Sequence, residues 1–314
     1  RVIPVFSVDP EKGWGYTEET KPMLMTSSGF IPWDDSHHTE LSMTDGVPNG
    51  KWIFINGNNT PRLARIDLKT FRTVEILEIP NSAGNHSSPF TTENSEYVVC
   101  GTRFSIPMKE LDVPIDSYRE KFNGTVSFVK INPESGNMNV EFQIMTPPFD
   151  YDLSHAGKGP SHDWFFFSCY NTEEAYTLLE VNASQKDKDF IMAVNWKKAE
   201  QYLKEGKAKD MASEFYHNVY DESKHSATSE VLKTVKMLDP KDCPDMIYYI
   251  PCPKSPHGAD VDPSGEYIVG GGKLATVIPV FSFSKMLKAI ETKQFDGDVA
   301  GIPVIKYEAA LHGE

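Results

Sequence analysis

Four of the nine histidines fall in one register. His37 and His38 precede a strand-like run at Trp52, His86 precedes one at Tyr97, and His257 precedes one at Tyr267, each about 10 to 15 residues ahead of its aromatic. Clustered neutral imidazoles are natural ligands for copper or zinc, and a set built without thiolate or carboxylate leans toward copper. Adjacent ligands at His37 and His38 require irregular backbone, because neighbours on a strand point to opposite faces. Each ring also needs an acceptor for its second nitrogen, and Asp35, two residues before the pair, is the candidate. His217, His225 and His312 sit in polar surroundings and read as solvated, while His155 and His162 flank Gly157-Lys-Gly-Pro with no repeat register. There is no Gly-x-Ser-x-Gly, no Walker loop and no His-Glu-x-x-His, and Gly270-Gly-Gly-Lys reads as a turn at a strand end.

The elements that must position these histidines are short β-rich runs. Lys51-Trp-Ile-Phe-Ile-Asn-Gly, Glu96-Tyr-Val-Val-Cys-Gly, Asp163-Trp-Phe-Phe-Phe-Ser and Glu266-Tyr-Ile-Val-Gly-Gly are β-branched or aromatic and bounded by turn residues, the signature of strands. Second runs follow at Leu63, Gly124, Asp189 and Thr276. Units of this size, made of strands, predict an all-β chain of the propeller type; a β-sandwich is the competing architecture. About four blades are expected, with short helical insertions over Lys197 to Gly206 and Phe283 to Thr292. Lys207 to Thr234 is polar and weakly periodic and reads as a long surface excursion. In a propeller the same loop of successive blades returns to the same end of the axis, so histidines distant in sequence converge.

Composition bounds the rest. At 39% hydrophobic and 24% charged the chain is ordinary for a globular protein. A net charge of −14 argues against nucleic acid as partner, since phosphate binding needs clustered Lys and Arg. No apolar run approaches the roughly 20 residues of a membrane span, and no leader precedes Arg1, which reads as the start of a processed or trimmed product. Of the cysteines, Cys100 and Cys169 read as buried hydrophobes, while Cys243 and Cys252 could close a small disulfide loop.

Asp35-Ser-His-His-Thr-Glu-Leu-Ser with Thr44-Asp-Gly, Pro61-Arg-Leu-Ala-Arg-Ile-Asp, Ile79-Pro-Asn, Ser168-Cys-Tyr-Asn-Thr-Glu, Pro256-His-Gly and Gly272-Lys-Leu together resemble the nitrous-oxide reductases, in the same order and over nearly the whole chain. Ile3-Pro-Val-Phe-Ser and Glu18-Glu-Thr-Lys-Pro-Met-Leu extend the likeness toward the start. The resemblance implies an N-terminal seven-bladed propeller holding a sulfide-bridged four-copper cluster on seven histidines. It implies a C-terminal cupredoxin domain with a dinuclear copper site that receives electrons, a head-to-tail homodimer, a small electron-donor protein and a periplasmic setting. Nitrous oxide is reduced there to dinitrogen and water with two electrons and two protons. On that basis His37, His38, His86 and His257 are copper ligands. A calcium site maps to Tyr170, Glu173, the carbonyl of Val181, Asp189 and Ser255, although Ser255 stands where many members carry Asn, and Glu40 where others have His.

Residues 1–314 therefore read as the N-terminal part of a propeller domain, incomplete at about four blades and without the cupredoxin domain. Three further cluster histidines and the cysteine-rich copper motif do not occur in this sequence, so the polypeptide by itself is expected not to reduce nitrous oxide. The alternative is a non-catalytic propeller that serves as a binding platform, its histidines lining a wet channel. A calcium-dependent hydrolase fits less well, because few acidic residues fall in the blade register.

Overall fold

Tyr97, Trp164 and Tyr267 open strands, Trp52 lies inside one that starts at Val47, and their neighbours form four antiparallel meanders. The computed structural model describes residues 6–9, 13–16, 25–26, 29–30, 36, 38–86, 94–107, 113–176 and 186–313. Two short hairpins come first, β1 (Phe6–Asp9) with β2 (Gly13–Tyr16) and β3 (Met25–Thr26) with β4 (Gly29–Phe30). The first blade is β5 (Thr39–Thr44), β6 (Val47–Asn56), β7 (Arg62–Asp67) and β8 (Arg72–Glu78). The second is β9 (Tyr97–Gly101), β10 (Gly124–Ile131) and β11 (Met138–Thr146), with its leading strand reduced to a bridge between Asn85 and Thr102. The third is β12 (Asp150–Ala156), β13 (Trp164–Tyr170), β14 (Lys188–Asn195) and β17 (Ile247–Pro253). The fourth is β18 (Pro256–Val261), β19 (Tyr267–Gly272), β20 (Val280–Ser282) and β23 (Leu311–Gly313).

What stacks the blades is burial on both faces of each sheet. Side chains alternate across a strand, and in β13 Phe165 and Phe167 enter one core while Trp164 and Phe166 enter another. Phe128, Phe142, Phe165, Phe167 and Tyr249 join the second blade to the third. Phe166, Ile191, Ile250, Ile268 and Phe281 join the third to the fourth. Trp52, Phe54, Leu63, Val98 and Val129 join the first to the second. A strand buried on both sides needs a continuous apolar run, which is why Trp164-Phe-Phe-Phe-Ser shows no alternation of polarity. The fold is an all-β propeller type, with four blade units among the described residues.

The insertions divide into expected and unexpected. α1 (Tyr118–Lys121) is a single turn, and α2 (Trp196–Lys204) and α3 (Phe283–Glu291) lie where the sequence predicts helices. α2 opens on Asn195, whose side chain accepts from the Lys198 amide at 2.9 Å, and the chain leaves it through Gly206 at φ +73°. A further short strand pair, β21 (Phe295–Val299) and β22 (Ile302–Ile305), lies between α3 and α4 (Tyr307–Ala310), and β22 adds to β17 in parallel.

Lys207 to Thr234 is not a surface excursion without structure. It is most of a long hairpin, β15 (Lys209–Asp221) and β16 (Ser226–Leu238), that fills the space between two blade edges. β15 pairs antiparallel with β8 of the first blade, and β16 pairs parallel with β11 of the second. An outer edge strand otherwise exposes a row of unpaired amides; the hairpin covers two such edges and merges the first two blades into one nine-stranded sheet.

Packing settles a pairing the sequence left open and overturns one further expectation. Cys243 and Cys252 are both free and buried, and they belong to different cores, on opposite sides of the third blade. Gly270 to Gly272 is not a turn but the end of β19, paired with β18. A Cβ on Gly270 would lie 2.8 Å from the Cys252 sulfur, so the close approach of two blades, rather than chain reversal, calls for glycine there.

Candidate metal centre

The leading position of each blade sends one polar side chain toward the others. His38 runs directly into β5 and is fixed against β6, its amide donating to Asn56 Oδ1 at 3.0 Å while its carbonyl accepts from the Asn56 amide at 3.2 Å. His86 follows Asn85, the bridge that stands for the second blade's leading strand, and His257 lies within β18. The rings of His38 and His86 meet edge-on at 4.6 Å between centroids, and those of His86 and His257 lie 6.0 Å apart. Three of the four expected histidines therefore come together from the first, second and fourth blades. His37 and Asp35 lie outside the described residues.

The third blade contributes an aspartate. Asp152, on β12, is completely buried. Its Oδ2 accepts from His257 Nδ1 at 2.7 Å and from Lys273 Nζ at 3.1 Å. Its Oδ1 pairs with His86 Nδ1, and Arg103 Nη1 lies 3.6 Å away. Burial alone would raise this carboxyl, but hydrogen bonds from His257 and His86, with the charges of His86 and Arg103, hold it well below the usual carboxylate range. An ionised carboxylate only accepts, so both imidazoles donate to it through Nδ1, and a ring held in that way coordinates metal through Nε2.

Sequence reasoning missed Asp152 because the search was for histidine alone. The signal was present: the third unit has no histidine in register, and the strand before Trp164 opens Asp150-Tyr-Asp-Leu-Ser.

Two cations and a phenol wall the carboxylate. The Tyr170 ring centroid lies 4.9 Å from Lys273 Nζ and 5.4 Å from Arg103 Cζ. Burial raises the Tyr170 hydroxyl far above its ordinary value, so it stays a neutral phenol. Asp150, on the same strand as Asp152, is pushed up to about 7, chiefly by burial, with Arg103 opposing and Asp152 adding to the rise.

A carboxyl whose folded pKa is raised binds more protons in the native chain than in the unfolded one. Stability is therefore expected to fall as pH climbs from about 4, the ordinary carboxylate value, through 7. Unfolding by urea at pH 5 and pH 8 checks this. Asp150→Asn should flatten the loss, and an equal loss in both proteins would contradict it.

Of the residues the resemblance assigns to calcium, Asp189 and Ser255 come together. Asp189 is 1% exposed, and its carboxylate accepts from Thr172 Oγ1 at 2.9 Å and from the Ser255 amide at 2.8 Å. Ser255 holds φ +54°, a left-handed conformation that asparagine adopts more readily than serine. Tyr170 ends β13 just before Thr172, and Glu173 accepts from the Lys186 amide. Val181 lies outside the described residues.

The other histidines separate from the cluster. His217, expected to be solvated, is tied through Nε2 to the buried Glu75 at 2.5 Å, because β15 packs against β8. His225 and His312 are exposed. His155 bonds the Ala156 carbonyl and His162 pairs with Asp163. Among the described residues no three His, Cys, Asp or Glu donors converge on one ion position.

Fold and cluster together define a class: a β-propeller whose blades deliver imidazoles and a buried carboxylate to one place. The relatives make this particular, for the chain is related to the nitrous-oxide reductases. It is 30% identical over 290 residues to that of Pseudomonas fluorescens, covering 90% of this chain and 41% of that protein. The Stutzerimonas stutzeri reductase is 27% identical over 285 residues, with the same coverage, and that of Cupriavidus necator 27% over 307 residues, 93% of this chain and 43% of that protein. The chain thus spans about two-fifths of the length of these relatives. No protein-family profile matches it. Among solved structures, the β-propeller domain of Myceliophteria thermophila Cps50 (Swd1) aligns with a TM-score of 0.35 at 10% identity, over 80% of this chain and 68% of that one. Kuenenia stuttgartiensis hydrazine synthase aligns with 0.25 at 10% identity, over 80% and 78%.

Proposed function

We propose that this chain carries part of the copper-binding propeller of a nitrous-oxide reductase, with His38, His86 and His257, and also His37, as ligands. The observation that carries this reading is the shared carboxylate. His86 and His257, 171 residues apart in sequence, both give Nδ1 to Asp152, which fixes tautomer and ring orientation together. The donor set fits copper, since imidazoles without thiolate favour it.

Bound copper would pass two electrons to nitrous oxide, which with two protons gives one dinitrogen and one water. The residues described here orient and insulate. Asp152 holds two rings in place, Arg103 and Lys273 offset its buried charge, and the phenol of Tyr170 closes the wall without ionising. The periplasmic setting, the homodimer and the small electron donor belong to the same proposal.

Calcium at Asp189 is its second part. A carboxylate 1% exposed that meets two neutral donors, Thr172 and Ser255, is a place where a hard cation relieves the cost of burying charge.

The test is metal content after copper loading and gel filtration. The wild-type chain should retain copper in stoichiometric amount, and His86→Ala with His257→Ala should remove most of it. Equal copper in both proteins would favour the non-catalytic platform instead.

A further inference from the structure

Each oxygen of Asp152 carries one imidazole and one cation. Oδ2 takes His257 Nδ1 at 2.7 Å and Lys273 Nζ at 3.1 Å. Oδ1 takes His86 Nδ1, with Arg103 Nη1 at 3.6 Å. The two cations are set differently. The Arg103 guanidinium lies against the rings of Phe104 and Tyr170, its Cζ 5.5 and 5.4 Å from their centroids, and stays beyond hydrogen-bond distance of the carboxylate. Lys273 donates directly, yet its side chain is 41% exposed. It follows the end of β19, where its amide donates to the Ser255 carbonyl at 2.8 Å. The backbone is therefore held whatever the side chain does, and the ammonium can be removed without opening a core.

A carboxylate behind a coordinating imidazole draws on the Nδ1 proton and makes the ring a stronger donor. Stronger donation favours the more highly charged ion, copper(II) over copper(I). An ammonium on the same oxygen opposes both effects, since it withdraws charge from the bond between Oδ2 and His257 and adds a positive charge to the site. We propose that Lys273 is a positioning residue that sets the redox poise of the copper site through Asp152, holding it toward copper(I). This rests on the copper reading of the histidines and adds a residue that does not itself coordinate. A unit charge acting through a carboxylate and an imidazole, at an effective dielectric of about 20 and trimmed by water around a half-exposed side chain, changes an equilibrium about tenfold.

The test compares the wild-type chain with Lys273→Gln, which keeps a donor to Asp152 and loses the charge, and with Lys273→Arg, which keeps the charge. Copper content is measured first. Copper(I) affinity is then read against bathocuproine disulfonate, copper(II) affinity against nitrilotriacetate, and the potential of the bound copper by spectroelectrochemistry. Lys273→Gln should raise the ratio of copper(II) to copper(I) affinity about tenfold, a potential lower by about 59 mV for one electron. Lys273→Arg should stay at the wild-type potential. A lysine that served only the fold would weaken both oxidation states alike and leave the potential in place. Equal potentials in wild type and Lys273→Gln, or the same drop in Lys273→Arg, with copper bound in all three, would overturn the proposal and leave the copper reading standing. A wild-type chain that retains no copper would overturn both. Should Lys273→Gln not fold, Lys273→Leu carries the same expectation, and an unchanged potential there counts against the proposal equally.

Discussion

Asp152→Ala is expected to weaken copper binding at the histidine cluster by one to two orders of magnitude, the usual effect of removing the carboxylate behind a coordinating imidazole. The reason is concentration of function in one side chain. Asp152 is fully buried and receives His86, His257 and Lys273, with Arg103 at 3.6 Å. Without it each imidazole is free to turn and to exchange tautomers, and two buried or half-buried cations lose their counter-charge. Asp152→Asn separates the two consequences. An amide keeps the volume and still accepts at one oxygen, so it should hold one ring but not both, giving an intermediate affinity. Competition against a chelator of known affinity reads all three proteins. Equal affinities would show that the rings are oriented by something else.

The second large effect is on stability and lies far from the histidines in sequence. Glu75, on β8, is 0% exposed. It accepts from Arg65 Nε at 2.9 Å, from the Met138 amide of the second blade at 2.9 Å and from His217 of the inserted hairpin at 2.5 Å. One carboxylate thus ties the first blade, the second blade and the hairpin. Glu75→Ala leaves the Arg65 guanidinium, itself only 5% exposed, without its partner, and breaking a buried pair in this way costs about 3–5 kcal/mol. His217→Ala should cost less, since its imidazole is partly open to water and Arg65 keeps Glu75. Urea unfolding monitored by tryptophan fluorescence gives both values. A Glu75→Ala loss below that of His217→Ala would remove this carboxylate from its central place.

The parts of this architecture that were legible in the sequence are those where burial dictates residue type. Strands buried on both faces must be uninterrupted apolar runs, so Trp164-Phe-Phe-Phe-Ser and Tyr97-Val-Val-Cys announce themselves. The two longer helices carry their start and stop residues openly. The hairpin did not show itself because its outer ends are wet on both faces; Ser226 to Lys233 alternates too little to reveal a strand, and only its pairing with β8 and β11 makes it one. The cysteine pairing stayed open because nine residues of separation says nothing about which face of a blade each sulfur enters. Asp152 escaped notice for a chemical reason. A site sought through its ligands shows its ligands, whereas the residue that orders them is of another type and, here, comes from the one blade without a histidine in register. His217 was misjudged in the same way, its polar neighbours in sequence concealing a buried partner 142 residues away.

The most direct measurement is anomalous diffraction at the copper edge from crystals of the copper-loaded chain. Blades that bring His38, His86 and His257 to one place predict a peak within bonding distance of Nε2 of His86 and of His257, with Asp152 still on their Nδ1 atoms. Copper found only elsewhere, with those two imidazoles uncoordinated, would contradict the assignment.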